Sequence, residues 1–211
     1  MQITWLGHSC FLFEDSKGTK LLTDPFDTTV GYELYKGNPD IVTISHNHFD
    51  HNYTKNLNDN CKIISKVGMS NFNDVYIKGI PSYHDKNKGE KRGDNLIFLY
   101  KMDGYSLCHL GDLGHTLTNN DIETIGTVDI LFIPVGGNYT IDGKEASEIA
   151  KKINPKIIFP MHYKTSKVFL PLDGVETFLM NMKNASKIDN NTLIIDDIIN
   201  ESLSVKILNY V

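Results

Sequence analysis

The chain has 211 residues, with 40 % apolar side chains, 22 % charged side chains and a net charge of −5 at pH 7. These values are typical of one globular domain, and we predict a single domain over residues 1–211. The acidic balance argues against nucleic acid as a main partner, and no apolar run approaches the roughly 18 residues of a membrane span. Cys10, Cys61 and Cys108 form no Cys-x-x-Cys pair, which favours reduced cysteines and a cytoplasmic location.

Short apolar stretches dominate the first half of the chain and predict strands. These strands are predicted at 3–6, 10–14, 20–23, 41–44, 62–65 and 75–77. Residues 26–39 contain glycines and an Asn-Pro pair without a regular period, and we predict a loop over a functional site there. A short helix is predicted over 52–58, and the polar run 85–93 is predicted to be an exposed loop.

Strand and helix patterns alternate in the second half. Strands are predicted at 95–100, 105–110, 129–133, 156–159, 192–195 and 204–208. Helices are predicted at 120–125, with Asn119 or Asn120 as its cap, at 142–153 and at 174–182. This order suits sheets covered by helices, and we therefore expect the α/β (α+β) fold class.

Three histidines and one aspartate follow the predicted strand 41–44 within six positions. They are His46, His48, Asp50 and His51. In an extended backbone His46 and His48 point the same way and can bind one metal ion, while Asp50 and His51 can serve a second one after a turn. Imidazole and carboxylate suit divalent transition metals. A solvated turn is the alternative, but the chain has only eight histidines, so their clustering favours a metal site.

Four ligands on one loop are too few for two metal ions, because each zinc typically takes about three protein ligands plus water. Three further candidates follow predicted apolar strands: His84, Asp112 and His162. A sheet could bring the ends of these strands together at one edge. The alternatives are a capping role for the aspartate and hydrogen-bonded core positions for the histidines.

The motif His46-x-His48-x-Asp50-His51 resembles the signature of the metallo-β-lactamase fold hydrolases. Further segments resemble one branch of that family, the small bacterial metal-dependent hydrolases of the ascorbate-6-phosphate lactonase type, with N-acyl-phosphatidylethanolamine phospholipase D enzymes as distant relatives. These segments are 3–9 (ITWLGHS), 22–26 (LTDPF), 111–112 (GD) and 161–163 (MHY). The resemblance spans Met1 to about Lys167 and implies a four-layer αββα sandwich.

The resemblance also implies two divalent metal ions, zinc in the first place, with manganese, iron or nickel as alternatives. It assigns His46, His48 and His84 to the first ion, Asp50, His51 and His162 to the second, and Asp112 to a bridging position. Asp50 would also orient the nucleophile or accept its proton. Asp24 would hold a ligand imidazole by its free N–H, with an Asp-Pro turn as the alternative. His8 would contact the substrate or protonate the leaving group, with core packing as the alternative.

Such a site predicts a hydrolase. A metal lowers the pKa of bound water from about 15.7 towards about 7, and a hydroxide bridging two metals would attack a small ester, lactone or phosphorylated substrate. One alternative is a phosphodiesterase, with cationic candidates Lys86, Lys88, Lys91, Arg92, Lys164 and Lys167. A di-iron redox protein and a non-catalytic metal-binding protein are the others. We expect the partner to be a small-molecule substrate, for which an anionic compound is one option. A homo-oligomer is a further option.

Overall fold

The structure is a computed structural model and describes residues 1–195 and 202–210. Fourteen strands are found in this part of the chain. In chain order they are β1 (Gln2–Gly7), β2 (Cys10–Glu14), β3 (Lys20–Thr23), β4 (Ile41–Thr43), β5 (Lys62–Ile64), β6 (Gly68–Phe72), β7 (Val75–Tyr83), β8 (Asp94–Met102), β9 (Tyr105–His109), β10 (Ile130–Pro134), β11 (Ile157–Met161), β12 (Asn184–Ile188), β13 (Thr192–Ile194) and β14 (Ser204–Leu208).

The strands form two sheets. One has six strands in the order β13-β1-β2-β3-β4-β5, and the other has eight in the order β12-β14-β11-β10-β9-β8-β7-β6. Parallel pairing joins β3 to β4 and β4 to β5 in the first sheet, and β9 to β10 and β10 to β11 in the second. Parallel neighbours end at the same edge of a sheet, so the residues after these strands lie close together. The expected mixed α/β class is confirmed.

Aromatic side chains fill the space between the sheets. Phe132 of β10 packs against Phe11 and Phe13 of β2, with ring centroids 4.6 Å and 4.9 Å apart, and against Phe159 of β11 at 5.2 Å. All four rings are almost completely buried. Each such side chain contributes about 1.5–3 kcal/mol when it leaves water, so this layer is a main source of stability.

The outer face of the six-stranded sheet carries the alternate residues of the same strands, among them Cys10, Leu22 and Val42. Phe26, Val30 and Tyr32 cover them, within a segment that contains a short 3-10 turn at Thr28–Val30. The segment 26–39 therefore packs on the outer face of this sheet. The prediction that it lies over the functional site was wrong, because its apolar side chains find a surface to cover there.

Three α-helices occur among the described residues: α1 (Asn119–Ile125), α2 (Gly143–Ile153) and α3 (Glu176–Met180). Helix α1 begins after Thr118, whose hydroxyl accepts from Asp121 N while the Asp121 carboxylate accepts from Thr118 N and Oγ1. The predicted caps Asn119 and Asn120 are therefore wrong by one or two positions. Helix α2 buries the predicted apolar face, and α3 is shorter than predicted. Of these helices, none is long and apolar enough to cross a membrane.

Local sequence patterns assigned one segment wrongly and missed two strands. Residues 52–58 form turns instead of the predicted helix, with a hydrogen bond from Leu57 N to Thr54 O. Strands β6 and β12 were not predicted, because both carry mostly exposed or half-exposed residues without a buried face. They pair with β7 and β14 and so extend the sheet at its two edges.

Candidate metal centre

Several residues of the cluster lie just beyond the ends of strands. His8 follows β1, Asp24 follows β3, His84 follows β7 and His162 follows β11. Three of these residues have left-handed backbone conformations, with φ of 52° at His8, 41° at Asp24 and 52° at His162. Non-glycine residues rarely adopt this conformation, and those that do cluster at functional sites. The chain thus turns sharply where each strand delivers its polar side chain.

Asp112 is the centre of the cluster. Its Oδ2 atom lies 3.1 Å from His51 Nε2, 3.1 Å from His162 Nε2 and 3.2 Å from His84 Nε2. His46 Nε2 is 3.8 Å away from the same oxygen. Four imidazoles from three separate segments of the chain therefore face one carboxylate, which is the position that the resemblance assigned to a bridging ligand.

The ligand atoms fall into overlapping sets, each within 4.8 Å of one another. One set is His46, His48 and His84, which coincides with the group expected for the first metal ion. Another is Asp50, His51 and His162 together with His8, and a third joins His46, His51 and Asp112. The structure thus brings all seven predicted ligands together. That they bind metal stays a prediction.

Two of the candidate ligand imidazoles, those of His46 and His51, are oriented by contacts to Nδ1, the ring nitrogen that does not face Asp112. His51 Nδ1 lies 3.0 Å from Asp24 Oδ2, and His46 Nδ1 lies 2.9 Å from Ser45 Oγ. Ser45 in turn donates its hydroxyl to Asp24 Oδ2 at 2.6 Å and its backbone N–H to Asp24 Oδ1 at 2.7 Å. Asp24 therefore fixes the orientation of His51 directly and of His46 through Ser45, which leaves both Nε2 atoms facing the centre.

His8 lies behind Asp50. Its Nε2 atom is 3.1 Å from Asp50 Oδ2, and its ring is buried beside His162, with centroids 4.2 Å apart. His8 is not among the residues that line the cavity above the cluster, so the expected substrate contact is not seen. The geometry favours an orienting role for His8, in which it fixes the carboxylate of Asp50.

Asn95 holds Asp112 in place, although it is not among the residues singled out from the sequence. Its side chain is fully buried in β8. Asn95 Oδ1 accepts from Asp112 N at 2.9 Å, while Nδ2 donates to Leu110 O at 2.9 Å and to Ser82 Oγ at 2.7 Å. A polar residue inside an otherwise apolar predicted strand, 95–100, was the signal that could have drawn attention to it.

Two glycines allow the loops to approach one another closely. A Cβ atom on Gly111 would lie 2.4 Å from Asn95 Oδ1, and its φ of +55° already disfavours other residues. A Cβ on Gly114 would lie 2.2 Å from the backbone carbonyl carbon of His84. The segment after Asp112 can therefore pack directly against the backbone of another candidate ligand.

The electrostatics of the cluster reflect several carboxylates held among histidines. Burial disfavours ionised Asp112, but the imidazoles of His162 and His51 outweigh it and keep the pKa of Asp112 well below its usual value. The pKa of His51 is raised well above its usual value, because Asp112 and Asp50 outweigh its burial. Burial lowers the pKa of His46 to about 3 and that of His8 to about 4, so both rings are neutral near pH 7.

The residues fit a pair of divalent cations. In the described part of the chain, the buried carboxylates of Asp24, Asp50 and Asp112 have only histidines as ion-pair partners, so the centre carries a negative charge that a cation would balance. Among residues 1–195 and 202–210, no hydrogen-bond partner is found for the buried atoms His46 Nε2, His51 Nε2 and Asp112 Oδ1. Each such atom costs about 1–3 kcal/mol unless something satisfies it, and metal coordination would do so.

A cavity of about 320 Å³ opens above the cluster. Five candidate ligands form its floor: His48, Asp50, His84, Asp112 and His162. Its walls carry the apolar side chains Phe49 and Leu170, the phenol of Tyr139 and the cationic side chains Lys91 and Arg92. The cavity therefore combines the candidate metal ligands with apolar and positively charged contacts for a small molecule.

Other residues considered from sequence lie outside this cavity. Lys86 pairs with Glu145, and Lys164 donates its ammonium to Val168 O at 2.7 Å and Leu170 O at 3.1 Å. His109 is buried, with its Nε2 atom 2.9 Å from Ser9 O. His115 Nε2 accepts from Tyr83 N at 3.2 Å near the surface. These contacts are structural.

Comparison with known proteins agrees with the fold. Residues 2–162 match the β-lactamase superfamily domain. A UPF0173 metal-dependent hydrolase of Carboxydothermus hydrogenoformans is 33 % identical over 196 residues, covering 78 % of this chain and 85 % of the relative. Another from Methanosarcina mazei is 31 % identical over 201 residues, covering 80 % and 85 %. The crystal structure of a proposed Zn-dependent hydrolase of the metallo-β-lactamase superfamily from Thermotoga maritima is 38 % identical, with a TM-score of 0.83 over 98 % of this chain and 97 % of that chain.

A two-sheet fold with histidines and aspartates gathered at its strand ends defines the class of metal-dependent hydrolases built on the metallo-β-lactamase fold. The chain belongs to the β-lactamase superfamily, and within it to the UPF0173 metal-dependent hydrolases. The expected family is confirmed. The lactonase-type activity that the resemblance implied stays a prediction.

Proposed function

We propose that this protein is a binuclear zinc hydrolase of the cytoplasm that cleaves a small anionic ester, lactone or phosphorylated substrate. The observation that supports this best is the position of Asp112 Oδ2, which three imidazole Nε2 atoms approach to 3.1–3.2 Å. A single carboxylate oxygen cannot satisfy so many imidazoles. Cations held by these residues would satisfy the imidazole nitrogens and the carboxylate together.

The proposed ligand sets follow the observed proximity. His46, His48 and His84 would hold one ion, and Asp50, His51 and His162 the other, with Asp112 bridging. When bound, two such ions supply Lewis acidity and water with a pKa of about 7, so that hydroxide is available at neutral pH. Asp24 keeps the Nε2 atom of His51 directed at the centre by holding Nδ1.

Asp50 is the group proposed to position the attacking water and to accept its proton. Burial opposes its ionisation, but the charge of His51 and the hydrogen bond from His8 keep the pKa of Asp50 well below its usual value. Asp50 is therefore ionised at neutral pH and has a fixed orientation. His8, neutral at this pH, donates its Nε2–H to Asp50 and takes no direct part in contacting substrate.

The first test is the metal content of protein purified without chelator, measured by mass spectrometry. We expect about two zinc ions per chain. His48→Ala should lose at least one of them, because it removes one of the three histidines in the set His46, His48 and His84. His115→Ala, outside the cavity, is the matched control and should keep both. Failure to bind metal even after zinc is added back would refute the proposal.

The second test is hydrolysis of a neutral p-nitrophenyl ester and its loss on chelation. Activity that returns with zinc would exclude a purely scaffolding role. Bound iron with a visible spectrum that changes on reduction would instead support a redox protein. The first result is the one expected of a zinc hydrolase, which has no visible spectrum of its own, and the second would contradict that function.

A phosphodiesterase is the second candidate function, because Lys91 and Arg92 in the cavity wall could neutralise a phosphodiester. It is tested with bis(p-nitrophenyl) phosphate under the same conditions. A kcat/KM for the phosphodiester above that for the carboxylic ester would favour the phosphodiesterase. The reverse order would favour the esterase or lactonase.

A further inference from the structure

The loop between β7 and β8 carries two cations into the wall of the cavity. Arg92 and Lys91 line the cavity above the candidate metal ligands, and Arg92 also lines a neighbouring groove of about 520 Å³ beside His46 and His48. Arg92 thus lines both the cavity and the neighbouring groove. An anionic part of a bound molecule would meet it on the way to the candidate metals.

A buried carboxylate organises this loop. Asp85 Oδ1 accepts from Asn87 N at 2.7 Å and Gly89 N at 3.1 Å. Asp85 Oδ2 accepts from Lys91 N at 2.9 Å and Arg92 N at 2.8 Å. Both oxygens of this buried carboxylate therefore accept hydrogen bonds from the backbone of the loop. Two of these bonds fix the backbone of the cationic residues Lys91 and Arg92.

The loop is also tied to the candidate metal site. Asp85 directly follows His84, and His84 N donates to Gly93 O at 3.1 Å across the base of the loop. The loop is closed further by Gly93 N, which donates to Gly89 O at 2.8 Å. The distance between Arg92 and the imidazole of His84 is therefore set by one compact, hydrogen-bonded unit.

The side chain of Arg92 is oriented by an aromatic ring. Its guanidinium carbon lies 5.1 Å from the centroid of Tyr139, which lines the same cavity. Stacking on a ring leaves the edge N–H groups of a guanidinium available for an anion. Among the described residues, neither Arg92 nor Lys91 forms an ion pair with a carboxylate, whereas Lys86 of the same loop is paired with Glu145.

We propose that Arg92 and Lys91 form an anion subsite, which binds a phosphate monoester or carboxylate on the substrate at a distance from the scissile bond. Arg92 is the main contact, because guanidinium groups bind both kinds of oxyanion in bidentate fashion. Asp85 is a positioning residue that acts through the backbone of both cations. This inference rests on the proposed hydrolase function and narrows its substrate class to esters or lactones with a second, anionic group.

The test uses two p-nitrophenyl esters of matched length, the neutral valerate and the anionic hydrogen glutarate, with zinc-loaded protein. We expect the wild type to prefer the glutarate in kcat/KM, mainly through KM. Arg92→Gln should reduce that preference by about tenfold to a hundredfold, the usual effect of losing a charged hydrogen bond. Arg92→Lys should restore part of it. Asp85→Asn should raise KM for the glutarate more than for the valerate, a difference that general misfolding would not produce.

Lys88→Gln is the matched control. Lys88 is exposed in the same loop and does not line the cavity, so this substitution makes the same change in charge without touching the subsite. The glutarate preference should survive it. An equal loss in Lys88→Gln and Arg92→Gln would overturn the proposal in favour of a general effect of net charge. An unchanged preference in Arg92→Gln would overturn it as well.

Calorimetric titration with glycerol phosphate and with glutarate measures binding to the subsite without turnover. Comparison of the two affinities shows whether the subsite prefers a phosphate monoester or a carboxylate. Binding that weakens about tenfold or more in Arg92→Gln would support the subsite even if neither ester is hydrolysed. Absence of hydrolysis would then count against the proposed function alone. Equal affinity in wild type and Arg92→Gln would show that the anions bind elsewhere, for example at the metals, and would overturn the subsite while leaving the hydrolase intact.

Discussion

Asp24 and His51 are joined by a buried hydrogen bond of 3.0 Å between Oδ2 and Nδ1, while His51 Nε2 points the other way and lies 3.1 Å from Asp112. Burial opposes ionisation of Asp24, yet the hydrogen bond and charge of His51 lower its pKa. The carboxylate is thus ionised and able to hold the imidazole in one orientation. Asp24 also accepts from Ser45, so that it organises two candidate ligands at once.

Asp24→Asn should weaken zinc binding by about 10–100-fold, the usual effect of removing a charged group behind a ligand histidine. Asparagine tolerates the left-handed backbone at this position, so the substitution tests the charge rather than the fold. Competition with a chromophoric zinc chelator measures the affinity. Asp59→Asn, an exposed change of the same kind, is the control and should bind zinc like the wild type. Equal affinity in both variants would contradict the role of Asp24.

Asn95→Ala should lower both stability and zinc affinity. It leaves Asp112 N and Leu110 O without their partner, while Ser82 Oγ loses one of its two hydrogen bonds. Stranded buried groups cost about 1–3 kcal/mol each, so we expect the free energy of unfolding to fall by at least about 2 kcal/mol. For a chain of this size that is a decrease in Tm of about 4–8 °C. Thermal unfolding with and without zinc measures it, and a Tm within about 1 °C of the wild type would refute the role of Asn95.

Gly114→Ala should disturb the candidate metal centre more than the stability of the rest of the fold. The new Cβ would overlap the backbone of His84, which has no room to move without shifting its imidazole. We expect loss of one zinc ion, measured by mass spectrometry. Gly104→Ala is the comparison, since Gly104 has a φ of +80° but nothing within 4 Å of a new Cβ. It should cost about 1–2 kcal/mol of backbone strain and leave the zinc content unchanged. Full occupancy in Gly114→Ala would contradict this account of the glycine.

The metal-free protein should lose stability as the pH falls from about 6.5 to about 4. Burial lowers the pKa of His46 to about 3 and that of His8 to about 4, so both stay neutral when folded but take up protons on unfolding. The raised pKa of His51 acts at higher pH, where its contribution is lost as the pH rises through the folded value.

We expect a loss on the order of a few kcal/mol over this range, measured as urea midpoints at a series of pH values. His8→Asn keeps a residue that accepts the left-handed backbone but removes one titrating ring. Its stability should therefore fall less steeply with acid. A midpoint independent of pH between 4 and 6.5 would show that these rings are not buried in their neutral form.

The chemistry of this protein was readable from its sequence because ligand types and short spacings are local properties. The cluster from His46 to His51 and the polar residues that follow apolar strands identified seven of the eight residues that the structure gathers. The mixed α/β class followed from the order of strand and helix patterns, which reflects the period of buried side chains. The same local patterns could not reveal β6 and β12, whose residues have no buried face.

Other features depend on which segments meet in space. Asn95 acquires its role only because β8 passes beside the turn to Asp112, and Arg92 lines the cavity only because Asp85 closes the loop after His84. The segment 26–39 covers the outer face of a sheet, and His8 lies behind Asp50 instead of facing the cavity. The sequence by itself thus determined the kind of chemistry and the candidate ligands. Tertiary structure alone decided which side chains support the ligands and which reach the cavity, because those contacts join residues distant along the chain.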